Sequence, residues 1–166
     1  ENILKKIGLS VIANNYQSFS SGKKRKIIDV KRDDFSLKIL PLICYEIIYS
    51  GKIFQNESFD LMVNISEDGW FGRSIGPKQH FAHSIFRSVE SGKYLLRSAN
   101  NGIAAIVNPL GIVEQKVEYG DSGYIDFKKA KKIQPTLFSK YGNKIFITLI
   151  LLYILMIFSF NRFENE

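Results

Sequence analysis

The run Ile39-Leu40-Pro41-Leu42-Ile43-Cys44-Tyr45-Glu46 sets the architecture of this chain, because a short apolar run bounded by charge is typical of a buried strand. It carries the only cysteine of the chain and a carboxylate two residues beyond it. We expect Cys44 at the carboxyl end of this strand, the edge at which loops gather substrate in layered α/β folds. A lone cysteine in an apolar segment is most often a packing residue, so neighbouring motifs must decide whether it is a nucleophile.

Size and composition indicate one folded domain. The chain has 166 residues, and 45% of them are hydrophobic, which is enough to form a core. Its formal net charge of +7 raises nucleic acid as a partner, but the basic residues fall in short runs beside predicted turns, without a nucleic-acid-binding motif. We therefore expect no nucleic acid partner. His80, His83 and the single cysteine are too few for a four-ligand zinc site, and we expect neither a metal nor a cofactor.

Further hydrophobic runs predict an α/β layered domain. Turn signals at Asn100-Asn101-Gly102 and Pro109-Leu110-Gly111 separate the last three strands, and the second signal makes a hairpin there. A short helix is predicted over 2–9. Strands are predicted over 27–30, 39–44, 59–65, 94–99, 103–108 and 112–117.

An amphipathic helix is predicted after Gly76-Pro77, with proline in its first turn and Gly92 near its end. Apolar residues recur every four positions along it, and we expect this side to face the core. The residues of this side are Phe81, Ile85 and Val89, with Ala82 and Phe86 beside them, while Lys78, His83 and Arg87 lie on other faces.

The end of the chain is predicted to span a membrane. Residues 145–160 form a run of about 16 almost entirely apolar residues, short of the roughly 20 that a bilayer core requires. With Lys144 and Arg162 extending towards headgroups, the segment 141–163 is long enough to span. A buried terminal helix is the alternative, but apolar residues on all faces argue against an ordinary surface helix.

Three motifs follow one another along the chain. They are Ile43-Cys44-Tyr45-Glu46-Ile47-Ile48, then Asp68-Gly69-Trp70-Phe71-Gly72 followed by Gly76-Pro77-Lys78-Gln79-His80, then Leu95-Leu96-Arg97-Ser98-Ala99-Asn100-Asn101-Gly102. In this order they resemble the carboxyl-terminal part of the apolipoprotein N-acyltransferase family, membrane enzymes whose extracytoplasmic domain belongs to the nitrilase (carbon-nitrogen hydrolase) superfamily. The resemblance implies a partial nitrilase-like α-β-β-α sandwich over 1–134, and a linker, one transmembrane helix and a short tail over 135–166.

By this resemblance Cys44 is the nucleophile of a Glu-Lys-Cys triad. In the family the cysteine takes an acyl chain from a glycerophospholipid as a thioester and passes it to the α-amino group of a diacylglyceryl-cysteine at the amino terminus of an apolipoprotein. The backbone N–H of Tyr45 is assigned to stabilising the oxyanion. The Tyr45 side chain and Glu46 are assigned to shaping the site, and Trp70 and Phe71 to bordering the substrate.

Some of these assignments have structural alternatives. Glu46 fits a buried carboxylate paired with an arginine, such as Arg97, as well as it fits a site residue. The two aromatic residues of the Trp70-Phe71 pair are also common in cores. His80 and His83 are expected to be structural, since the triad of the family contains no histidine.

Two residues depart from the pattern of the family, and some of its active-site residues lie outside this chain. Glu67 stands where asparagine is usual, and Gly69 where alanine is usual. The base glutamate, the lysine and a further active-site glutamate of the family lie upstream of the stretch that matches Glu1. We therefore interpret the chain as a carboxyl-terminal fragment, which we expect to be inactive without its missing amino-terminal half.

The resemblance predicts the inner (cytoplasmic) membrane as location, with the catalytic domain on the periplasmic side. Basic residues before the predicted span indicate the opposite orientation, unless earlier spans of a longer protein set it. Two other functions stay open. One is a soluble nitrilase or amidase that uses the same triad, and the other is an inactive, membrane-bound remnant of a split gene.

Overall fold

The computed structural model describes residues 25–51, 58–128 and 133–164, without the side chains of 161–164. The helix predicted over 2–9 lies outside these residues. The described part is built on one six-stranded sheet, in which the strands follow one another in chain order. The strands are β1 (Ile28–Lys31), β2 (Ser36–Ile43), β3 (Leu61–Glu67), β4 (Tyr94–Asn100), β5 (Ala104–Val107) and β6 (Val113–Val117). All six predicted strands are confirmed, with boundaries that shift by a few residues.

Strands β2, β3 and β4 run parallel at the centre of the sheet, while β1, β5 and β6 pair antiparallel at its two sides. The carboxyl ends of the three parallel strands therefore meet at one edge. Register places Ile43 of β2 beside Ile65 of β3, and Ile65 beside Ser98 of β4. This edge receives the residue that follows Ile43, which is Cys44.

Helix α1 (Gly76–Ser91) covers one face of the sheet, has proline in its first turn and ends at Gly92 in a left-handed conformation with φ of 65°. Between this helix and the sheet lies a hydrophobic core, in which Phe81 and Ile85 of the helix pack against buried residues of four strands and of the turn after β2. A second cluster on the other face joins Leu61, Tyr94 and Ile106 to partly buried residues that include Ile125 and Phe127.

Helix α1 buries a more polar side than its apolar pattern predicted. Phe86 is 59% exposed and Val89 is 39% exposed, so these two residues do not face the core. Arg87, predicted on another face, is buried with its Nε 3.0 Å from Oε2 of Glu90. Small side chains at the contact allow a helix to lie close to a sheet, which explains the choice of this side. The buried small residues are Ser84, Ser88 and Ser91.

The described part of the chain ends in two helices, α2 (Leu137–Tyr141) and α3 (Lys144–Glu164). Gly142 interrupts them with φ of 55°, a conformation that glycine adopts without steric cost. Tyr141 therefore belongs to a separate helix and does not extend the predicted span. Among the described residues, no helix combines the length and the apolar character needed to cross a membrane. The predicted span is not confirmed.

Candidate active site

Cys44 lies directly after β2, at the edge where the parallel strands end, as the sequence predicted. It begins a short 3₁₀ turn, Cys44–Ile48, and has a φ of 48°. This left-handed conformation is uncommon for a residue with a side chain and costs on the order of 1 kcal/mol. The cysteine is free, and the residue as a whole is partly exposed. Contacts with neighbouring strands must hold the strained backbone.

Two side chains of β3 provide those contacts. Asn64 Nδ2 donates hydrogen bonds to the carbonyl oxygens of Leu42 at 3.0 Å and of Cys44 at 3.3 Å. Ser66 Oγ lies 3.7 Å from Cys44 Sγ. Because alternate residues of a strand share a face, Asn64 and Ser66 approach Cys44 from the same side of the sheet. The first anchors its backbone and the second touches its sulfur.

Asp68, next after β3, is the centre of a fully buried polar cluster. Its Oδ1 accepts hydrogen bonds from Ser66 Oγ at 2.7 Å and from His80 Nδ1 at 2.8 Å, and its Oδ2 accepts one from Arg97 Nη2 at 2.7 Å. Burial alone would raise the pKa of Asp68, but the hydrogen bonds from His80 and Ser66 and the charge of Arg97 hold that pKa below its ordinary value. The carboxylate is therefore ionised at neutral pH.

Arg97 pairs with Asp68 and not with Glu46, whose arginine partner is Arg25. The alternative interpretation of Glu46 is therefore confirmed in pairing this carboxylate with an arginine and wrong in naming Arg97. Its Nε donates to the Ile103 carbonyl at 3.1 Å, and its Nη1 donates to Asn64 Oδ1. Arg97 thus fixes both Asp68 and the side chain that anchors Cys44.

Glu46 instead lies within the turn that Cys44 begins. Its Oε1 lies 3.3 Å from Arg25 Nη2, and its Oε2 accepts the backbone N–H of Ile43 at 2.7 Å. A carboxylate that closes the turn around Cys44 fits the predicted shaping role of Glu46, which stays a prediction.

An aromatic cluster includes Tyr45, the residue that follows Cys44. The ring centre of Tyr45 is 6.4 Å from that of Phe71 and 5.4 Å from that of His80, and those of Phe71 and His80 are 5.5 Å apart. These three rings line a cleft of about 680 Å³ along the first half of α1. The structure thus brings Phe71 and Tyr45 together, whereas Trp70 is 87% exposed and does not line this cleft.

Glu67 and Gly69, the two departures from the family pattern, contact each other. Glu67 Oε1 accepts the Gly69 N–H at 2.7 Å, and the carboxylate also accepts hydrogen bonds from the side chains of Asn100 and Asn101. These donors, the Gly69 N–H first, lower the pKa of Glu67. A Cβ on Gly69 would lie 2.5 Å from Glu67 Oε1, so this glutamate conformation requires glycine at 69.

Sequence reasoning missed the polar cluster behind the cysteine. A signal was present, since Asn64 lies in the run interpreted as a buried apolar strand, and Ser66 and Asp68 continue its alternate positions just beyond the predicted end at residue 65. Period-two polar residues in such a strand indicate buried hydrogen bonding on one face. Among the described residues, no group of three or more histidine, cysteine, aspartate or glutamate side chains is arranged to hold a metal ion.

The mixed α/β fold and the family match agree. The chain belongs to the carbon-nitrogen hydrolase family, whose model matches residues 9–125. Among its relatives are proteins named apolipoprotein N-acyltransferase. That of Rickettsia bellii is 46% identical over 127 residues, which are 75% of this chain and 25% of the relative. That of Rhodopseudomonas palustris is 31% identical over 160 residues, which are 94% of this chain and 29% of the relative.

A solved structure shows a more distant likeness. It is a CN-hydrolase superfamily protein from Xanthomonas campestris with an arsenic adduct in its active site. The TM-score is 0.44 at 12% sequence identity, and the match covers 85% of this chain and 54% of that one.

The chain spans between a quarter and a third of the length of the two N-acyltransferase relatives, at 25% and 29%.

Proposed function

We propose that this chain is the nucleophile-bearing part of an apolipoprotein N-acyltransferase. The observation that carries the proposal is the placement of a partly exposed Cys44 at the carboxyl edge of the parallel strands, in a strained conformation that Asn64 anchors. Strained backbone that the surroundings maintain is typical of functional sites. The reaction is inferred from the names of the relatives, and the geometry of Cys44 is suited to it.

In the proposed reaction the Cys44 thiolate attacks the ester carbonyl of a glycerophospholipid. A C–S bond forms, the ester C–O bond breaks, and the lysophospholipid leaves as an alcohol after taking a proton. The α-amino group of a diacylglyceryl-cysteine apolipoprotein then attacks the thioester, so that a C–N bond forms and the thiolate is released. A base outside the described residues takes the thiol proton and gives it to the departing lysophospholipid. In the second half the C–S bond breaks as the C–N bond forms, and the same base takes the proton that the amine loses.

Four neighbours of Cys44 have proposed roles. The backbone N–H of Tyr45 belongs to the first turn after β2, where N–H groups lack helical partners, and it would stabilise the oxyanion. Glu46 keeps that turn closed through the Ile43 N–H. Phe71 lines the cleft beside Tyr45. Trp70 is exposed and outside the lining of the cleft, and its proposed role is to contact the part of the substrate that extends beyond the cleft.

The sheet supports the proposal that a missing half of the enzyme completes the sandwich. Ile43 is 69% exposed and Ile65 is 61% exposed, although they are neighbours in the middle of the sheet. Large apolar side chains side by side in the solvent indicate a surface that another layer covers. We propose that the upstream part of a longer protein supplies this layer together with the base and the lysine, and that the chain alone is inactive.

The proposed location is the inner membrane, with the α/β domain on the periplasmic side. Supporting it are the side chains of α3 between Phe146 and Phe160, most of which are large, apolar and exposed. A membrane-impermeant thiol reagent should label Cys44 in intact cells. Labelling that requires lysis would place the domain on the cytoplasmic side.

Mass spectrometry of Cys44 tests the proposed reaction. The chain is expressed in membranes together with the upstream part of its parent protein, and the peptide that contains Cys44 is examined. We expect a fatty acyl mass that neutral hydroxylamine removes, and its absence in Cys44→Ala. A folded, membrane-bound protein whose Cys44 never carries an acyl group contradicts the proposal. The chain expressed alone should show no acyl transfer, and turnover by it would refute its inactivity.

A further inference from the structure

Ser66 carries a hydroxyl that the proposed reaction does not yet use. The residue is 6% exposed, and its Oγ lies between Cys44 Sγ at 3.7 Å and Asp68 Oδ1 at 2.7 Å. The geometry points to Ser66 as a positioning residue for Cys44. Its hydroxyl oxygen accepts a hydrogen bond from the S–H of the resting cysteine. Once the thiol has lost its proton, the hydroxyl turns and donates a hydrogen bond to the sulfur. This inference rests on the proposed function only in taking Cys44 as the nucleophile.

Ser66 has a single hydroxyl proton, so it can donate a hydrogen bond to only one of its two neighbours, Asp68 or Cys44, while the thiol is protonated. An ionised Asp68 has no proton and can only accept, and its contact with Ser66 is the shorter one. A hydrogen bond to a carboxylate is also stronger than one to sulfur, so Ser66 donates to Asp68. A lone pair of Ser66 then faces Cys44 Sγ and accepts its S–H. The thiol is thereby held in one orientation.

Deprotonation of Cys44 reverses this arrangement. A thiolate has nothing to donate, whereas the Ser66 hydroxyl can rotate about its C–O bond and donate to the sulfur. Asp68 loses one donor in this rotation but keeps His80 and Arg97, so its carboxylate stays satisfied. A hydrogen bond to the charged form favours that form, which makes Ser66 a stabiliser of the thiolate.

Ser66 does not relay the thiol proton to Asp68. The partners of Asp68 hold its pKa below the ordinary value, which makes the carboxylate a poor base. The proton therefore leaves to another base, or to bulk water in the experiment below. Ser66 therefore acts as a positioning residue and is not part of a proton relay to a catalytic base.

Alkylation of Cys44 by iodoacetamide measures the effect without acyl transfer. The thiolate displaces iodide, so a C–S bond forms and a C–I bond breaks, and Cys44 is the only thiol of the chain. Rates are measured on the full chain in detergent micelles between about pH 6 and pH 9.5, bracketing the ordinary thiol range. Because a net hydrogen bond corresponds to about a three- to tenfold effect, we expect Ser66→Ala to slow alkylation by that factor near neutral pH. Its pH profile should move to higher pH.

Two further variants separate positioning from a general structural effect. Ser66→Thr keeps a hydroxyl and should retain the profile of the original chain. Ser91→Ala removes another buried serine hydroxyl, whose Oγ donates a hydrogen bond to the Ser88 carbonyl at 3.2 Å, and should also leave the profile unchanged. If circular dichroism shows that Ser66→Ala does not fold, Ser66→Gly, which also lacks the hydroxyl, replaces it.

A profile of Ser66→Ala equal to that of the original chain overturns the inference, as does an equal shift in Ser91→Ala. The outcome is distinguishable from failure of the proposed function. If the alkylation profile of Ser66→Ala shifts but Cys44 never carries an acyl group, the role of Ser66 is supported and the proposed acyl transfer is rejected. If Cys44 carries an acyl group but the profile of Ser66→Ala does not shift, acyl transfer is supported and the role of Ser66 is rejected.

Discussion

Asp68 is packed so closely that Gly102 has no room for a side chain. A Cβ on Gly102 would lie 2.7 Å from Asp68 Cγ and closer still to Oδ2. Because Asp68 is held by three hydrogen bonds and cannot move away, we expect Gly102→Ala to lower the free energy of unfolding by about 2–3 kcal/mol. Urea denaturation measures this loss. In the control Gly123→Ala, the added Cβ would lie 3.4 Å from Val117 Cγ2, an ordinary contact, so equal losses in both variants contradict the prediction.

The lowered pKa of Asp68 makes stability depend on pH. The unfolded chain takes up the proton first, so the contribution of Asp68 is complete above its ordinary pKa near 4 and is lost as pH falls through the lower folded pKa. At pH 7, Asp68→Asn leaves Arg97 buried without its counter-charge and should cost about 3–5 kcal/mol. The difference between the two proteins should shrink in denaturation curves measured at pH 3. A constant difference would show that Asp68 is not the titrating group.

Glu67 and Gly69 should behave as a coupled pair. Gly69→Ala forces the Glu67 carboxylate away from the Gly69 N–H and from Asn100, so the midpoint of thermal unfolding should fall. In a Glu67→Asn background the shorter side chain leaves room for the Cβ, and the same substitution should have little effect. A double-mutant cycle measures the coupling, and additive effects would contradict it.

At the scale of elements, helix α1 is held by its serine side and not by its whole apolar stripe. Phe86→Gln changes a side chain that is 59% exposed and should alter the free energy of unfolding by less than about 0.5 kcal/mol. Ser88→Leu, at a position with no exposure, should destabilise by about 1–3 kcal/mol because the larger side chain overpacks the contact with the sheet. Chemical denaturation measures both losses. A larger loss for Phe86→Gln than for Ser88→Leu would mean that the apolar side predicted from the sequence is the one that faces the core.

At the scale of the whole molecule, the exposed pair Ile43 and Ile65 should become buried when the proposed missing half is present. In a Cys44→Ser background, Ile65→Cys should be alkylated at least about tenfold more slowly after co-expression with the upstream part of the parent protein, because a covering layer excludes the reagent. Leu110→Cys, 67% exposed in the turn between β5 and β6, is the control and should stay reactive. Unchanged labelling of Ile65→Cys would mean that this surface is not the interface.

The amino-acid sequence alone determined the six strands, helix α1 and the position of the cysteine. Apolar runs predicted six strands, proline and Gly92 predicted the limits of α1, and the run before Cys44 placed that residue at the end of a strand. These features depend on neighbours within a few positions, which is why periodicity and turn residues reveal them.

Tertiary structure decided which polar groups surround the cysteine. Arg97 lies 29 positions from Asp68 and 33 positions from Asn64, and Glu46 lies 21 positions from Arg25. At these separations, no local sequence pattern predicts the pairs. The sequence showed only that polar residues occur in a buried strand. A buried donor or acceptor must find a partner wherever the folded chain brings one, and that partner is chosen by the packing of sheet and helix together.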